Sequence, residues 1–166
     1  MIRKKKEITM KKVKTNAMRM LDKKQVPYNM LSYSSDDGKI DGVSVSAKIN
    51  KDVKLVYKTL VAQGASKTHY VFVVPVETEL NLKKAAKAAV EKKIEMIPVK
   101  DITKITGYIR GGCSPIGMKK AYATFIDHSA ELLEQIIVSG GMIGIQLELK
   151  SHDLANVTNA HFADLV

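Results

Sequence analysis

The chain is poor in the residues that hold small disulfide-rich or zinc-dependent proteins together. It contains one cysteine, Cys113, among its 166 residues, which excludes an internal disulfide framework and an all-cysteine zinc site. Its histidines show no metal-ligand spacing with Cys113 or with one another. We therefore expect neither a bound metal nor a cofactor.

Long apolar runs are also missing. No stretch approaches the roughly 20 apolar residues that a membrane-spanning helix needs, and the basic residues 1–6 are not followed by the apolar stretch of a signal peptide. With 45% hydrophobic and 27% charged residues, the composition is typical of a globular protein. We expect a cytoplasmic protein without membrane contact. We also expect one domain over residues 1–166, because domains usually hold about 100–200 residues.

Acidic residues are the scarcer charge. Lysine and arginine number 27 against 17 Asp and Glu, which gives a net charge of +10. Residues 1–24 carry +8 of this, whereas residues 127–166 hold six acids against Lys150 alone. A basic arm (residues 1–13) and an acidic carboxyl end favour an oriented polyanion partner, with RNA the leading candidate. A solubilising arm explains the charge equally well, so charge alone does not decide.

The hydrophobic pattern predicts interleaved strands and helices. Six stretches have the spacing or capping residues of helices: 15–26, 44–49, 82–93, 99–105, 130–134 and the segment from Ser151. Six runs have the length and the β-branched or aromatic content of strands: 30–33, 55–61, 69–76, 122–126, 135–138 and 143–149. The irregular order and the hairpin-length links favour the α/β (α+β) class. We expect a mixed sheet, curled toward a barrel and surrounded by helices, and not a doubly wound nucleotide fold.

The densest cluster of unusual residues is 106–117 (TGYIRGGCSPIG). Adjacent Gly111 and Gly112 would let backbone amides approach a ligand closely, and such donors can hold a phosphate or an ester oxyanion. Gly112 and Gly117 have the P-loop interval, but Met118 follows where that motif requires lysine, which excludes an NTPase. A tight connection without a ligand is the alternative, and spacing does not separate the two.

Lys58 is the strongest single candidate for a functional residue. In a strand over 55–61, alternation places Lys58 on the same face as Val56 and Leu60. An ammonium among apolar neighbours is costly unless it is paired or opens into a pocket. The alternative is an edge strand with one face in water.

Two further candidates are weaker. Asp127, His128 and Ser129 are the residue types of a catalytic triad, but consecutive side chains diverge, so we interpret them as a strand end followed by a helix cap. Cys113 stands beside two glycines, yet no base adjoins it in the sequence.

Four segments, taken in order, resemble the YbaK/EbsC family of aminoacyl-tRNA editing proteins. They are residues 56–61 (VYKTLV), 82–87 (LKKAAK), 106–117 with the two lysines that follow Met118, and 138–141 (VSGG). The resemblance covers residues 15–166 and leaves out the basic arm. It implies a barrel-like mixed sheet, related to the insertion domain of bacterial prolyl-tRNA synthetases. It also implies hydrolysis of the ester that joins a wrong amino acid to tRNA, typically cysteine on tRNA(Pro).

The resemblance also implies site residues. The family lysine falls on Lys58, which would hold the terminal nucleotide or the aminoacyl group, and the loop glycine falls on Gly112; both are predicted catalytic residues. The pocket tyrosine and serine fall on Tyr33 and Ser139. From the same segments we add four residues to the predicted substrate-binding set: Thr59, Gly111, Ser114 and Gly140. Family members lack a protein nucleophile, and the substrate's own thiol attacks the ester.

Three functions stay open at this point. The first is a Cys-tRNA(Pro) deacylase, the second a deacylase for another small group such as alanyl, and the third a non-catalytic nucleic-acid-binding or regulatory module. Lys58 and the glycine loop favour an enzyme over the third. The expected partners are aminoacyl-tRNA and, by family behaviour, prolyl-tRNA synthetase.

Overall fold

The computed structural model describes residues 14–166, so the basic arm lies outside the described residues. The helices are α1 (Asn16–Lys23), α2 (Gly42–Lys48), α3 (Leu82–Ala89), α4 (Ile102–Thr106) and α5 (Ser151–Thr158), with 3₁₀ turns at Val53–Leu55, Val99–Asp101 and His128–Leu132. The strands are β1 (Asn29–Ser32), β2 (Tyr57–Gly64), β3 (His69–Pro75), β4 (Ile94–Met96), β5 (Ala123–Asp127), β6 (Gln135–Ser139), β7 (Ile145–Lys150) and β8 (His161–Ala163). No helix in this part of the chain is long and apolar enough to cross a membrane.

The strands form two sheets. Strands β1, β7 and β6 make an antiparallel sheet of three, and β4, β2, β3, β5 and β8 make a mixed sheet of five, in which β3, β5 and β8 run parallel. A parallel bridge between Val56 and Ile137 connects the two. The mixed α/β class is therefore confirmed. The expected single curled sheet is instead divided in two and is not closed.

The five-stranded sheet is buried on both faces, which explains the nearly continuous apolar sequence of β3. One face packs across the three-stranded sheet and against α1 and α5, with Val71 and Val73 of β3 in this core. The other face packs under α3, with Phe72 and Val74 in the second core.

Helix α1 begins at Thr15, a residue that also contacts the segment after β6. The Thr15 hydroxyl accepts a hydrogen bond from the Met18 amide at 3.2 Å, which caps the helix. The same hydroxyl donates to the Gly140 carbonyl at 2.6 Å. The start of α1 is thus tied to the segment that follows β6.

Candidate active site

A cavity of about 190 Å³ lies where the two sheets meet. Its eight lining residues are Ile40, Tyr57, Lys58, Thr59, Gly111, Cys113, Ser139 and Gln146. They come from β2, the loop after α4, the end of β6 and the start of β7, with Ile40 from the loop before α2. The fold therefore brings together three segments that the sequence singled out separately.

The partial pairing of β2 creates the space. Strand β4 pairs only with residues 62–64 of β2, so it leaves the β2 edge near Lys58 and Thr59 uncovered. The bridge between Val56 and Ile137 then brings the end of β6 alongside this edge. Ser139, two residues beyond Ile137, enters the cavity as a result.

Lys58 is half-buried in the cavity wall, with the fully buried Val74 opposite it on β3. Within residues 14–166 its ammonium forms no ion pair, and no carboxylate lines the cavity. An unpaired cation held against apolar neighbours costs stability. The position therefore suits binding of an anion or of a carbonyl oxygen that gains negative charge.

Two hydroxyl groups flank Lys58. The Thr59 hydroxyl is buried and has no hydrogen-bond partner among the described residues, so it is available to a ligand. The Tyr57 hydroxyl is 2.7 Å from that of Ser129, and burial raises the pKa of Tyr57. The Tyr57 side chain is therefore neutral, and its hydroxyl is already hydrogen-bonded to Ser129.

Cys113 contributes a thiol to the cavity. Burial raises the pKa of this thiol to about 11, so it is protonated at neutral pH. Among the described residues, no histidine or carboxylate lines the cavity to remove its proton. The geometry disfavours Cys113 as a nucleophile.

The two loop glycines have different roles. Gly111 has a φ of +85°, and a β-carbon there would lie 2.7 Å from Ile40. The Gly112 amide donates to the Ile109 carbonyl at 3.0 Å, so it is already used within the loop. The role predicted for Gly112 as a catalytic residue stays a prediction, and its amide is not the donor that the loop has available. In the described part of the chain, the amides of Gly111 and Cys113 have no protein acceptor and are the available donors.

Gly140 supports the cavity without lining it. Its amide donates to the Ile145 carbonyl at 2.9 Å, and its carbonyl accepts from Thr15. Both backbone groups are therefore occupied, and Gly140 fixes the position of Ser139 instead of offering a contact of its own.

Two other predicted residues are not brought to the cavity wall. Ser114 is fully buried, and its hydroxyl accepts a hydrogen bond from the Ile116 amide at 3.2 Å. Ser114 therefore stabilises the glycine loop from within. Tyr33 follows β1, and its amide donates to the Gly144 carbonyl at 2.9 Å. Its buried hydroxyl has no partner among the described residues, but Tyr33 does not line the cavity.

Sequence reasoning missed Gln146. Gln146 and Glu148 are polar residues that alternate with apolar Ile145, Leu147 and Leu149 along β7. This alternation was a usable signal, because it places Gln146 on the face that points away from the core.

A second cavity of about 290 Å³ adjoins the first and shares Thr59, Gly111 and Cys113 with it. The rest of its lining is apolar apart from Arg110: Leu60, Val61, Met96, Ile97, Val99 and Ile102. An apolar chamber therefore continues directly from the chamber that holds Lys58.

One group of side chains in residues 14–166 has the spacing of a metal site. Donor atoms of Asp127, His128 and Asp164 lie within 4.8 Å of one another. The Asp127 carboxylate already accepts from the amides of Ser129 and Leu165, at 3.2 and 3.0 Å. The group lies outside both cavities. These bonds show that Asp127 caps the chain at the end of β5.

Comparison with known proteins identifies the family. Residues 40–157 match the family described as the aminoacyl-tRNA editing domain. The chain belongs to this family. A protein from Enterococcus faecalis that carries the name Cys-tRNA(Pro)/Cys-tRNA(Cys) deacylase EbsC is 42% identical over 152 residues, which cover 92% of this chain and 93% of that protein. The resemblance of the four sequence segments to this family is confirmed.

Solved structures support the fold of this editing-domain protein. Hypothetical protein APE2540 has a TM-score of 0.82 at 18% identity, over 90% of this chain and 98% of that chain. A protein described as a trans-editing enzyme for prolyl-tRNA synthetase has a TM-score of 0.73 at 21% identity, over 83% and 85% of the two chains. At these identities the likeness concerns the fold alone.

Proposed function

We propose that this editing-domain protein is a free-standing deacylase that hydrolyses the ester of mischarged aminoacyl-tRNA, with Cys-tRNA(Pro) as its preferred substrate. The observation that carries the proposal is that, within residues 14–166, Lys58 forms no ion pair and lies in one cavity with a Thr59 hydroxyl that has no hydrogen-bond partner. The name carried by the relative with 42% identity supports the same substrate class.

The chemistry requires no protein nucleophile. The thiol of the cysteinyl group attacks the ester carbonyl and forms a C–S bond, the C–O bond to the ribose breaks, and the thiol proton passes to the departing oxygen. Water then hydrolyses the resulting thioester and releases cysteine. Well-placed intramolecular nucleophiles reach effective molarities of roughly 10⁵ M or more. The Lys58 ammonium and the amides of Gly111 and Cys113 would stabilise the negative charge that develops on the carbonyl oxygen.

The adjoining apolar cavity fits the other half of the substrate. The ester links a small aminoacyl group to a nucleoside, and the two cavities share a wall at Thr59 and Gly111. With the aminoacyl group beside Lys58, the terminal nucleoside would enter the apolar cavity, where its base contacts aliphatic side chains and the Arg110 guanidinium.

We expect Val99→Glu to raise KM for aminoacyl-tRNA about tenfold with little change in kcat, because a carboxylate would repel the nucleotide from this cavity. Val99 is 54% exposed, so the change should not disturb folding. Leu132→Glu, at a position that is 90% exposed and outside both cavities, is the control. Equal KM values for the two variants would contradict the nucleoside assignment.

The function itself is tested by measuring deacylation of tRNA(Pro) charged with cysteine, alanine or proline. We expect rapid hydrolysis of the cysteinyl ester and only background hydrolysis of the prolyl ester. Faster hydrolysis of the alanyl ester would favour the alternative deacylase. Binding of all three without hydrolysis would favour a non-catalytic module. The proposed setting is the cytoplasm, with prolyl-tRNA synthetase as the proposed protein partner.

The basic arm is expected to aid capture of tRNA without affecting the choice of amino acid. The bond between Thr15 and Gly140 places the start of α1 one residue away from Ser139. Deleting residues 1–9 removes a net charge of +3. Affinity for tRNA should therefore fall, and it should depend less steeply on salt concentration. The ratio of cysteinyl to alanyl hydrolysis should stay constant, because phosphate contacts position the tRNA and do not distinguish aminoacyl groups. Binding measured across a salt series tests this, and an unaltered slope would mean that the arm does not contact tRNA.

A further inference from the structure

Gln146 is a buried amide with no assigned role. It lies on β7 directly opposite Ser139 of β6, so both side chains project from the same face of the sheet into the cavity. Only 7% of Gln146 is exposed. Its amide has no hydrogen-bond partner within residues 14–166, whereas Glu148, on the same face, accepts from Asn29 and pairs with Lys51. The oxygen and the nitrogen of this amide are therefore available to a group that enters the cavity.

The cavity supplies donors more readily than acceptors. The Lys58 ammonium and the amides of Gly111 and Cys113 are donors. No carboxylate from residues 14–166 lines the cavity, and the Glu148 carboxylate is paired with Lys51 at 3.0 Å.

Within residues 14–166, the side-chain acceptors in the cavity lining are three hydroxyls and one amide carbonyl. The Thr59 hydroxyl has no partner there, but it lies beside Lys58 on β2. The Tyr57 hydroxyl is engaged with that of Ser129, and the Ser139 hydroxyl accepts a long bond of 3.4 Å from the Gly141 amide. The side-chain carbonyl of Gln146 is the acceptor that lies on the other sheet from Lys58 and makes no hydrogen bond within residues 14–166.

We propose that the Gln146 carbonyl oxygen accepts a hydrogen bond from the α-amino group of the substrate. This inference rests on the proposed function. An aminoacyl ester carries a primary amine two bonds from the ester carbonyl, and that amine must find an acceptor once water is excluded. Binding it at Gln146, across the cavity from β2, turns the ester carbonyl toward Lys58. Gln146 thereby makes the site selective for α-amino acyl esters over acyl esters that lack the amine.

The test uses two substrates that differ only in this amine: tRNA(Pro) esterified with cysteine and with 3-mercaptopropionate. Each keeps the thiol. Gln146→Met preserves the length of the side chain and removes its hydrogen-bonding groups. It should lower kcat/KM for the cysteinyl ester about 10- to 100-fold, the effect expected for a hydrogen bond to a charged group, and for the mercaptopropionyl ester less than about threefold.

The matched control is Gln135→Met, an exposed glutamine on β6 outside the cavity, which should change neither rate. Thermal unfolding is measured for every variant, and Gln146→Leu replaces Gln146→Met if the latter does not fold. Equal losses on both esters would overturn the proposal, because a structural role or a contact to the ester carbonyl affects both substrates. Unchanged rates on both would overturn it as well. If the wild-type protein hydrolysed neither ester, the proposed function itself would be wrong, and that result differs from either of these.

Discussion

Replacing Lys58 with alanine is expected to lower the single-turnover rate of Cys-tRNA(Pro) hydrolysis about 10²–10³-fold, the loss that follows removal of one group that stabilises the charge of the transition state. Among the described residues, Lys58 is the only cation that lines its cavity, so no other side chain there could supply the lost positive charge. The ester would then lose both the charge that stabilises its oxyanion and the group that orients its carbonyl.

The same substitution should leave the protein folded. The Lys58 ammonium forms no ion pair in the described part of the chain, and its strand neighbour Val74 is fully buried. Removing an uncompensated charge from such a place should leave the melting temperature unchanged or raise it. Lys58→Arg should have little more activity than Lys58→Ala. The guanidinium is bulkier than an ammonium, and its charge is delocalised over a planar group.

Lys54→Ala is the matched control, because it removes the same charge from an exposed position four residues earlier. It should keep near-normal turnover. Hydrolysis by Lys58→Ala at a rate close to the control would exclude Lys58 from the reaction. A collapsed thermal transition for Lys58→Ala would instead assign Lys58 a structural role.

The sequence predicts the elements of this fold better than their assembly. Strong periodic or β-branched signals predicted α1, β2, β3, β6 and β7 close to their observed bounds. The helix predicted over 82–93 ends at Ala89, because Val90 adopts a left-handed conformation with φ of 56° and the chain turns into β4. The three-residue strands β4 and β8 were missed, since such short edge strands depend on the partner strand rather than on their own residues.

The site, like the fold, was predictable only where a single segment carried the signal. Lys58 conflicts with its apolar surroundings, and that conflict is visible in the sequence. The roles of Gly112, Ser114 and Gly140 were not, because they depend on which backbone groups are already hydrogen-bonded. The alternation along β7 marked Gln146 as a polar position, but its place opposite Ser139 arises from a long-range register that the local pattern does not give.

Gly112→Ala is expected to reduce deacylation about 10²-fold, the cost of a displacement of roughly 1 Å in a group that positions the substrate. A β-carbon at Gly112 would lie 2.8 Å from the Met142 α-carbon and 2.9 Å from the Ile143 amide nitrogen. These are backbone atoms of the segment between β6 and β7, so they cannot rotate away. The glycine loop must move instead, and the amides of Gly111 and Cys113 move with it.

A methyl group at Gly112 would meet the backbone of the protein and not the substrate. The structure places that methyl group against the protein itself, so the variant should lose stability as well as activity. Overpacking of this kind costs about 1–3 kcal/mol, which corresponds to a melting temperature lower by a few degrees.

Two variants of the same loop separate this effect from general damage. Gly107→Ala places alanine at a φ of +84°, where the nearest atom to its β-carbon is 3.7 Å away, so it adds backbone strain without a clash and should keep most activity. Cys113→Ala should also remain active, because the Cys113 thiol is protonated and its amide, which alanine retains, is the useful group. The measurements are single-turnover deacylation and thermal unfolding of all three variants. An inactive but fully folded Cys113→Ala would reveal a thiol nucleophile, and an active Gly112→Ala would show that the loop can shift without disturbing the ester.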